Sequence, residues 1–309
     1  WVQIDEIGHP NLDATNLQNW RPLGQITTLD EYGRPLESRD QINVYSSILY
    51  GYNRFNKLIP VAQAVNAQQH EIAYDSFDDY TYFTAGSNYA TGHFDFQNAL
   101  SSNVTISNSQ RHSGVSSLSV NNGSTAASTG SITKTTNCVE PPYSYSLGYF
   151  KVDSCMCVKP FAPVRGKDYF ISLWVKGNAV NSTTGNYSDV TVTITYNGSV
   201  QTNTFPPTGQ QIDGWQRIDG KFTIPSTATD ITVSLKNTSA VDGAKAYFDD
   251  IRIHPFIAGM TTTVYDPETL LPMATHDGYN FTTYYGYDEN LMPVRVRVET
   301  INGIQTISE

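Results

Sequence analysis

The sequence predicts an all-β chain: a β-sandwich of the jelly-roll kind inserted between short β-hairpins. Three observations carry this. Period-two alternation recurs along most of the chain, and 20 of the 309 residues are Tyr, a residue type that favours strands. Turn words such as Asn197-Gly198 and Asp30-Glu31-Tyr32-Gly33 separate the runs at short intervals. Helix-like patterning is confined to residues 61–65, which read equally well as a strand.

In chain order, residues 1–70 hold short β-like runs at 25–29 and 44–50, each followed by turn residues. Residues 71–256 form the middle block. It contains a Ser-, Asn-, Thr- and Gly-rich stretch with brief strands at 104–106, 117–120 and 131–133. The strongest strand is 169–175, and 190–196 runs into Asn197-Gly198, the best short hairpin signal there is. Runs at 215–224 and 231–235 lead to a closing strand, 245–255. Eight or more antiparallel strands at this spacing make a sandwich. The closing strand holds two adjacent carboxylates, Asp249 and Asp250. Simple alternation puts one of them inward, where it needs a partner, and Pro255 ends the ladder. Residues 257–309 return to hairpin runs at 261–265, 281–285 and 294–298.

Net charge is −10 and pI about 5.0, which excludes nucleic acid and anionic membrane as partners, since both require a basic patch. No apolar run approaches the roughly 20 residues of a membrane helix, so membrane insertion is not expected. A low charged fraction of 16% with abundant Tyr, Asn, Ser and Thr is the composition of an extracellular or cell-surface protein. The chain starts at Trp1, so the first expected partner is the remainder of its own longer chain. Three cysteines, Cys138, Cys155 and Cys157, allow a disulfide from Cys138 to either of the others, or free buried thiols. No nucleophile elbow, zinc His-Glu word, phosphate loop or carboxylate pair stands in a fitting context, and the six histidines lack ligand spacing. The chain is therefore read as non-enzymatic.

The two ends share wording. Tyr50-Gly51-Tyr52-Asn53 is matched by Tyr285-Gly286-Tyr287-Asp288, and Tyr265-Asp266 precedes the latter by about one short repeat. Asp30-Glu31-Tyr32-Gly33-Arg34 with Asp40 completes the pattern. These residues resemble the RHS/YD-repeat family, although Thr269-Leu270 and Leu291-Met292 stand where that family has Gly-Arg. The resemblance implies a β-sheet shell or stalk on the outside of a bacterial cell, or a cocoon around a toxin. The Tyr-Gly-Tyr wording resembles surface proteins of the Bacteroidota and implies a type 9 secretion translocon as partner.

The middle block carries five words in order: Phe77-Asp78-Asp79, Ser113-Gly114 with Ser117-Leu118, Trp174-Val175, Trp215 followed by Phe222-Thr223-Ile224-Pro225, and Tyr247-Phe248-Asp249-Asp250-Ile251. It resembles the carbohydrate-binding-module jelly rolls, also called galactose-binding-like domains. That resemblance implies a structural calcium joining the opening and closing words, held by Asp78 with Asp249 or Asp250. It also implies glycans as ligands, stacked on exposed aromatics, for which Tyr143, Tyr145, Tyr149 and Tyr187 are the candidates. Trp174 and Trp215, embedded in strands, are expected in the core. The functional expectation is an adhesin or scaffold displaying the jelly roll, with glycan capture or a toxin cocoon as alternatives.

Overall fold

The computed structural model describes residues 24–29, 33–54, 57–80, 96–132, 145–146, 149–150, 161–198 and 201–309. Cys138, Tyr143, Cys155 and Cys157 lie outside these residues. The N-terminal flank supplies β1 (Gly24–Leu29), β2 (Pro35–Asp40), β3 (Tyr45–Arg54) and β4 (Lys57–Val65). The middle block supplies β5 (Ala73–Asp75), β6 (Val104–Ser107), β7 (Ser117–Asn121), β8 (Thr125–Ser131), β9 (Tyr145–Ser146), β10 (Tyr149–Phe150) and β11 (Asp168–Lys176). It continues with β12 (Val190–Tyr196), β13 (Gln201–Phe205), β14 (Thr208–Ile212), β15 (Trp215–Thr223), β16 (Asp230–Asn237) and β17 (Lys245–Pro255). The C-terminal flank supplies β18 (Gly259–Tyr265), β19 (Pro272–His276), β20 (Thr282–Tyr287), β21 (Pro293–Thr300) and β22 (Gly303–Ser308). The ambiguous run at 61–65 is strand, part of β4.

The sandwich packs a sheet in the order β14-β15-β11-β17-β7-β6, with β5 added alongside β17, on a second sheet in the order β13-β12-β16-β8. Alternation supplies the core. Tyr169, Ile171, Leu173 and Val175 of β11 meet Val190, Val192, Ile194 and Tyr196 of β12, and Ile231, Val233 and Leu235 of β16 fill the gap. Every one of these is nearly fully buried, the burial that drives folding of a two-sheet domain. The Asn197-Gly198 turn has both residues at positive φ, 51° and 66°, the geometry that matches strand twist in a tight hairpin.

The flanks form one antiparallel sheet of nine strands, β1-β2-β3-β4-β18-β19-β20-β21-β22. Strand β4 pairs directly with β18, with Val65 opposite Gly259 and Ala62 opposite Thr262. The sandwich is thus an insertion between two neighbouring strands of a meander. The nine-stranded sheet contacts the outer face of the larger sandwich sheet, giving three β-layers. The contact has an apolar part, in which Leu49, Val61, Met260 and Val264 pack with Ile72 and Tyr74.

Among the described residues, four hairpins of the meander each turn on one aspartate. Asp40 Oδ1 accepts the N–H groups of Ile42 and Val44 at 2.9 and 2.8 Å. Asp277 Oδ1 accepts those of Tyr279 and Phe281 at 2.8 and 2.9 Å. Asp288 Oδ1 accepts those of Asn290 and Met292, both at 2.9 Å, and Asp266 Oδ1 those of Glu268 and Thr269 at 2.9 and 2.7 Å. A short carboxylate mimics a backbone turn in this way, which gives the recurring Asp a physical job. The word containing Gly33, at φ 77°, has Leu291 at the equivalent place, at φ 63°. The left-handed region favours glycine because a Cβ crowds the following carbonyl, at a cost of roughly 1–2 kcal/mol.

Two outcomes follow. Cysteines placed at Gln63 and Thr261, which face each other across β4 and β18, should form an intramolecular disulfide on mild oxidation, read by mass spectrometry of the peptides; a reduced pair would refute the strand order. Leu291→Gly should raise stability by about 1 kcal/mol in denaturant titration, because the residue is half exposed and loses little packing. Unchanged or lower stability would show that the left-handed turn is not strained.

Candidate functional site

The site lies on the outer face of the larger sandwich sheet, beneath the C-terminal flank. Its origin is a β-bulge. Ser172 is opposite Arg252, but Trp174 is opposite Asp249, so β17 carries one residue more than β11 between these points. Asp250 sits in that bulge at φ 51°. The extra residue changes the parity: Phe248, Ile251 and Ile253 all enter the sandwich core. The expectation that one of the two carboxylates faces inward is therefore corrected. Both reach the same outer loop, residues 110–117.

Asp249 Oδ2 accepts the His112 N–H at 2.8 Å and the Ser113 N–H at 3.4 Å, and its Oδ1 accepts the Asp250 N–H at 2.9 Å. Asp78 Oδ1 accepts Val115 and Ser116 N–H at 2.6 and 2.8 Å. Gly114 makes this possible: at φ 59°, a Cβ there would lie 2.1 Å from Asp78 Oδ2. The Ser113-Gly114 word is thus a clamp on buried carboxylates. Burial pushes the pKa of Asp78 and Asp249 well up, and each is raised further by its acidic neighbours.

His112 is the hub. Its ring stacks on Trp174 at 4.3 Å between centroids and 15° between planes, with Trp215 edge-on at 5.7 Å. Nδ1 lies 2.8 Å from Asp250 Oδ2, and Nε2 lies 3.1 Å from Glu299 Oε1. His276 Nε2 approaches the same Asp250 oxygen at 3.2 Å, while its Nδ1 lies 2.9 Å from Thr262 Oγ1. Burial alone would depress the His112 pKa, but the hydrogen bonds to Asp250 and Glu299 push it up to about 9. Burial alone would raise that of Asp250, but His276 and His112 hold it well below the carboxylate range. Histidines far apart in the chain are brought together, which sequence spacing did not foresee. The only local hints are the His112-Ser113-Gly114 and His276-Asp277-Gly278 words.

Around the hub, polar groups stitch the layers together. Arg252, fully buried, donates from Nε to Ser172 Oγ at 2.9 Å, from Nη1 to the carbonyls of Met260 and Asp277 at 3.1 and 2.7 Å, and from Nη2 to that of Gly278 at 2.9 Å. Trp174 Nε1 donates to the Asn280 carbonyl at 2.9 Å, and Asn280 Nδ2 donates to the Asp250 carbonyl at 3.2 Å. Trp174 and Trp215 are buried as expected, but in the seam between layers, with Phe281 and Ile304, rather than in the sandwich core.

The expected ligand residues separate. Tyr187 is 8% exposed, donates its hydroxyl to the Gly214 carbonyl at 2.7 Å and receives no open face for a sugar, which corrects its assignment. Tyr145 and Tyr149 lie on β9 and β10, a two-stranded ladder that belongs to neither main sheet. Of the calcium candidates, Asp250 is turned onto imidazole nitrogens, which calcium does not seek. Asp78 and Asp249 fit better: they repel each other, and Asp78 Oδ2 is buried without a hydrogen-bond partner. A calcium ion there would be held by these two carboxylates and would neutralise them.

No protein-family model and no curated protein matches this chain. Solved structures that resemble it include carbohydrate-binding modules and an insecticidal delta-endotoxin from Bacillus thuringiensis. The family 22 module with its glycoside hydrolase family 10 domain from Clostridium thermocellum xylanase 10B, complexed with xylohexaose, has TM-score 0.31 and 18% identity, over 49% of this chain and 24% of that one. A family 16 carbohydrate-binding module has TM-score 0.30 and 16% identity, covering 49% of this chain and 84% of that one. The family 22 xylan-binding domain of Paenibacillus barcinonensis Xyn10C has TM-score 0.29 and 17% identity, over 49% and 80%. At these values the likenesses carry no argument about function. The sandwich rests on its own strand order.

On the same outer face, His254 is 4% exposed and burial lowers its pKa to about 4, against 6.5 for a free imidazole. Between these values the unfolded chain binds a proton that the folded chain does not. Stability should therefore fall by up to about 3 kcal/mol as pH drops from about 6.5 to about 4. Melting curves across this range should show a shallower acid slope for His254→Gln; an identical slope would show that His254 does not carry it.

Proposed function

We propose that this chain is a non-catalytic module of an extracellular bacterial surface protein, in which a carbohydrate-binding-type sandwich is mounted on a β-sheet scaffold for glycan capture. The observation that carries this is the pairing of β4 with β18 across the whole insertion. It holds the sandwich at both ends, as a displayed module requires, and the Arg252 and His112 contacts fix its orientation. Supporting it are the acidic, Tyr-rich composition and the placement of Tyr145 and Tyr149 on a ladder of their own. Adhesion, YD-type repeats in the scaffold and export by a type 9 translocon belong to the same proposal, as does calcium at Asp78 and Asp249. Solvent exclusion argues for structure over catalysis at the hub: His112, Asp250 and His276 are 7%, 0% and 1% exposed.

Affinity electrophoresis of the chain through gels containing β-1,4-xylan, mixed-linkage β-glucan or galactan should show retardation by at least one. The double variant Tyr145→Ala/Tyr149→Ala should weaken it about tenfold or more, equivalent to about 1.4 kcal/mol. No retardation by a broad polysaccharide panel, or a double variant that binds as well, would overturn the glycan reading.

A further inference from the structure

We propose that His112, Asp250 and His276 form a transition-metal site of the zinc class that staples the inserted sandwich to the nine-stranded sheet. Three ligating atoms, one from each residue, lie within 4.8 Å of one another, and all three residues are buried. Two imidazoles and one carboxylate are a donor set for zinc and its neighbours in the first transition row, not for calcium or magnesium.

Two independent observations point to a ligand rather than to chance packing. The first is His276 Nε2. It is fully buried, forms no hydrogen bond of acceptable geometry, and is aimed at Asp250 Oδ2 at 3.2 Å. A metal between the two would give that nitrogen its partner. The second is the outer shell. Metal-binding histidines characteristically hold their other ring nitrogen on a carboxylate or hydroxyl, which sets tautomer and ring orientation. Here Glu299 Oε1 stands 3.1 Å from His112 Nε2, and Thr262 Oγ1 stands 2.9 Å from His276 Nδ1. Glu299 is itself fixed, its Oε2 accepting the Thr282 N–H at 3.2 Å. Each histidine thus presents one nitrogen inward and has the other held.

The location gives the metal a role. His112 and Asp250 belong to the inserted sandwich, and His276 closes β19 of the flanking sheet. A metal bound by all three crosslinks segments far apart in the chain. It would bind only when the layers have met, so its binding free energy would add to the docking of the sandwich. This inference stands apart from the glycan reading, because its three residues are buried in the seam and Tyr145 and Tyr149 are not among them.

The test uses the full chain, stripped with chelator in denaturant and refolded with Co²⁺ or Zn²⁺ alone. Wild type should retain about one metal per chain after dialysis, show the visible bands of nitrogen-bound Co²⁺, and melt at least about 5 °C higher than the stripped protein. A large excess of Ca²⁺ should not displace the metal. Thr262→Val, which removes only the outer-shell hydroxyl, should weaken retention about tenfold, and His276→Gln should abolish it. Should His276→Gln fail to fold, the Co²⁺ spectrum of wild type and the Thr262→Val titration decide. Wild type that refolds with zinc and retains less than about a tenth of an equivalent overturns the proposal, leaving the cluster a hydrogen-bonded ion pair. Retention by folded His276→Gln at wild-type affinity overturns it equally.

Discussion

Between the larger sandwich sheet and the nine-stranded sheet, Arg252, Asp250, Glu299, His112 and His276 are shut away from water, and the seam depends on their being matched to one another. Burying a charge costs several kcal/mol unless hydrogen bonds replace its hydration. Arg252 meets that cost with three carbonyls and one hydroxyl. Asp250 meets it with hydrogen bonds from Ser113 and His112. Such a match tolerates no sliding. A shift of the nine-stranded sheet by one residue would strand the guanidinium and the carboxylate together. The apolar contacts of the seam supply attraction, while the polar ones set its register.

The bulge at Asp249 and Asp250 is what makes the match available. A regular strand would send one carboxylate into the sandwich core among Leu173, Phe248 and Ile251, where nothing could pair with it. One inserted residue in the left-handed region turns both outward, and the loop around Gly114 closes over them. A local backbone irregularity thus serves the seam between layers, as bulges commonly serve sites rather than sheets. The aspartate turns of the meander act similarly on a smaller scale. The hairpin at Asp277 holds Gly278 and Asn280 where Arg252 and Trp174 need their carbonyls.

This division of labour bears on function. The buried polar groups are spent inside the seam, and β9 and β10 pair only with each other. A rigid seam also means that force or binding felt by the sandwich passes directly into the scaffold sheet.

Strand periodicity, the Asn197-Gly198 turn and the repeated Asp words were legible in the sequence because each is a short-range effect, set by steric preference or a hydrogen bond spanning a few residues. They determined the all-β class and most strand positions. Asp78 of the opening word and Asp249 of the closing word accept N–H groups from one loop, a contact the sequence did not show. The parity of Asp250 was not legible either, because a bulge shows only against its partner strand, here β11. Nor was the meeting of His112 with His276 and Glu299, residues with no periodic relation to one another. Tyr187 looked like a loop aromatic until Gly214 and Gln216 were seen to hold it. Local chemistry decides which segments become strands. Which side chains share a buried space is decided only when separate layers close and exclude water from everything between them.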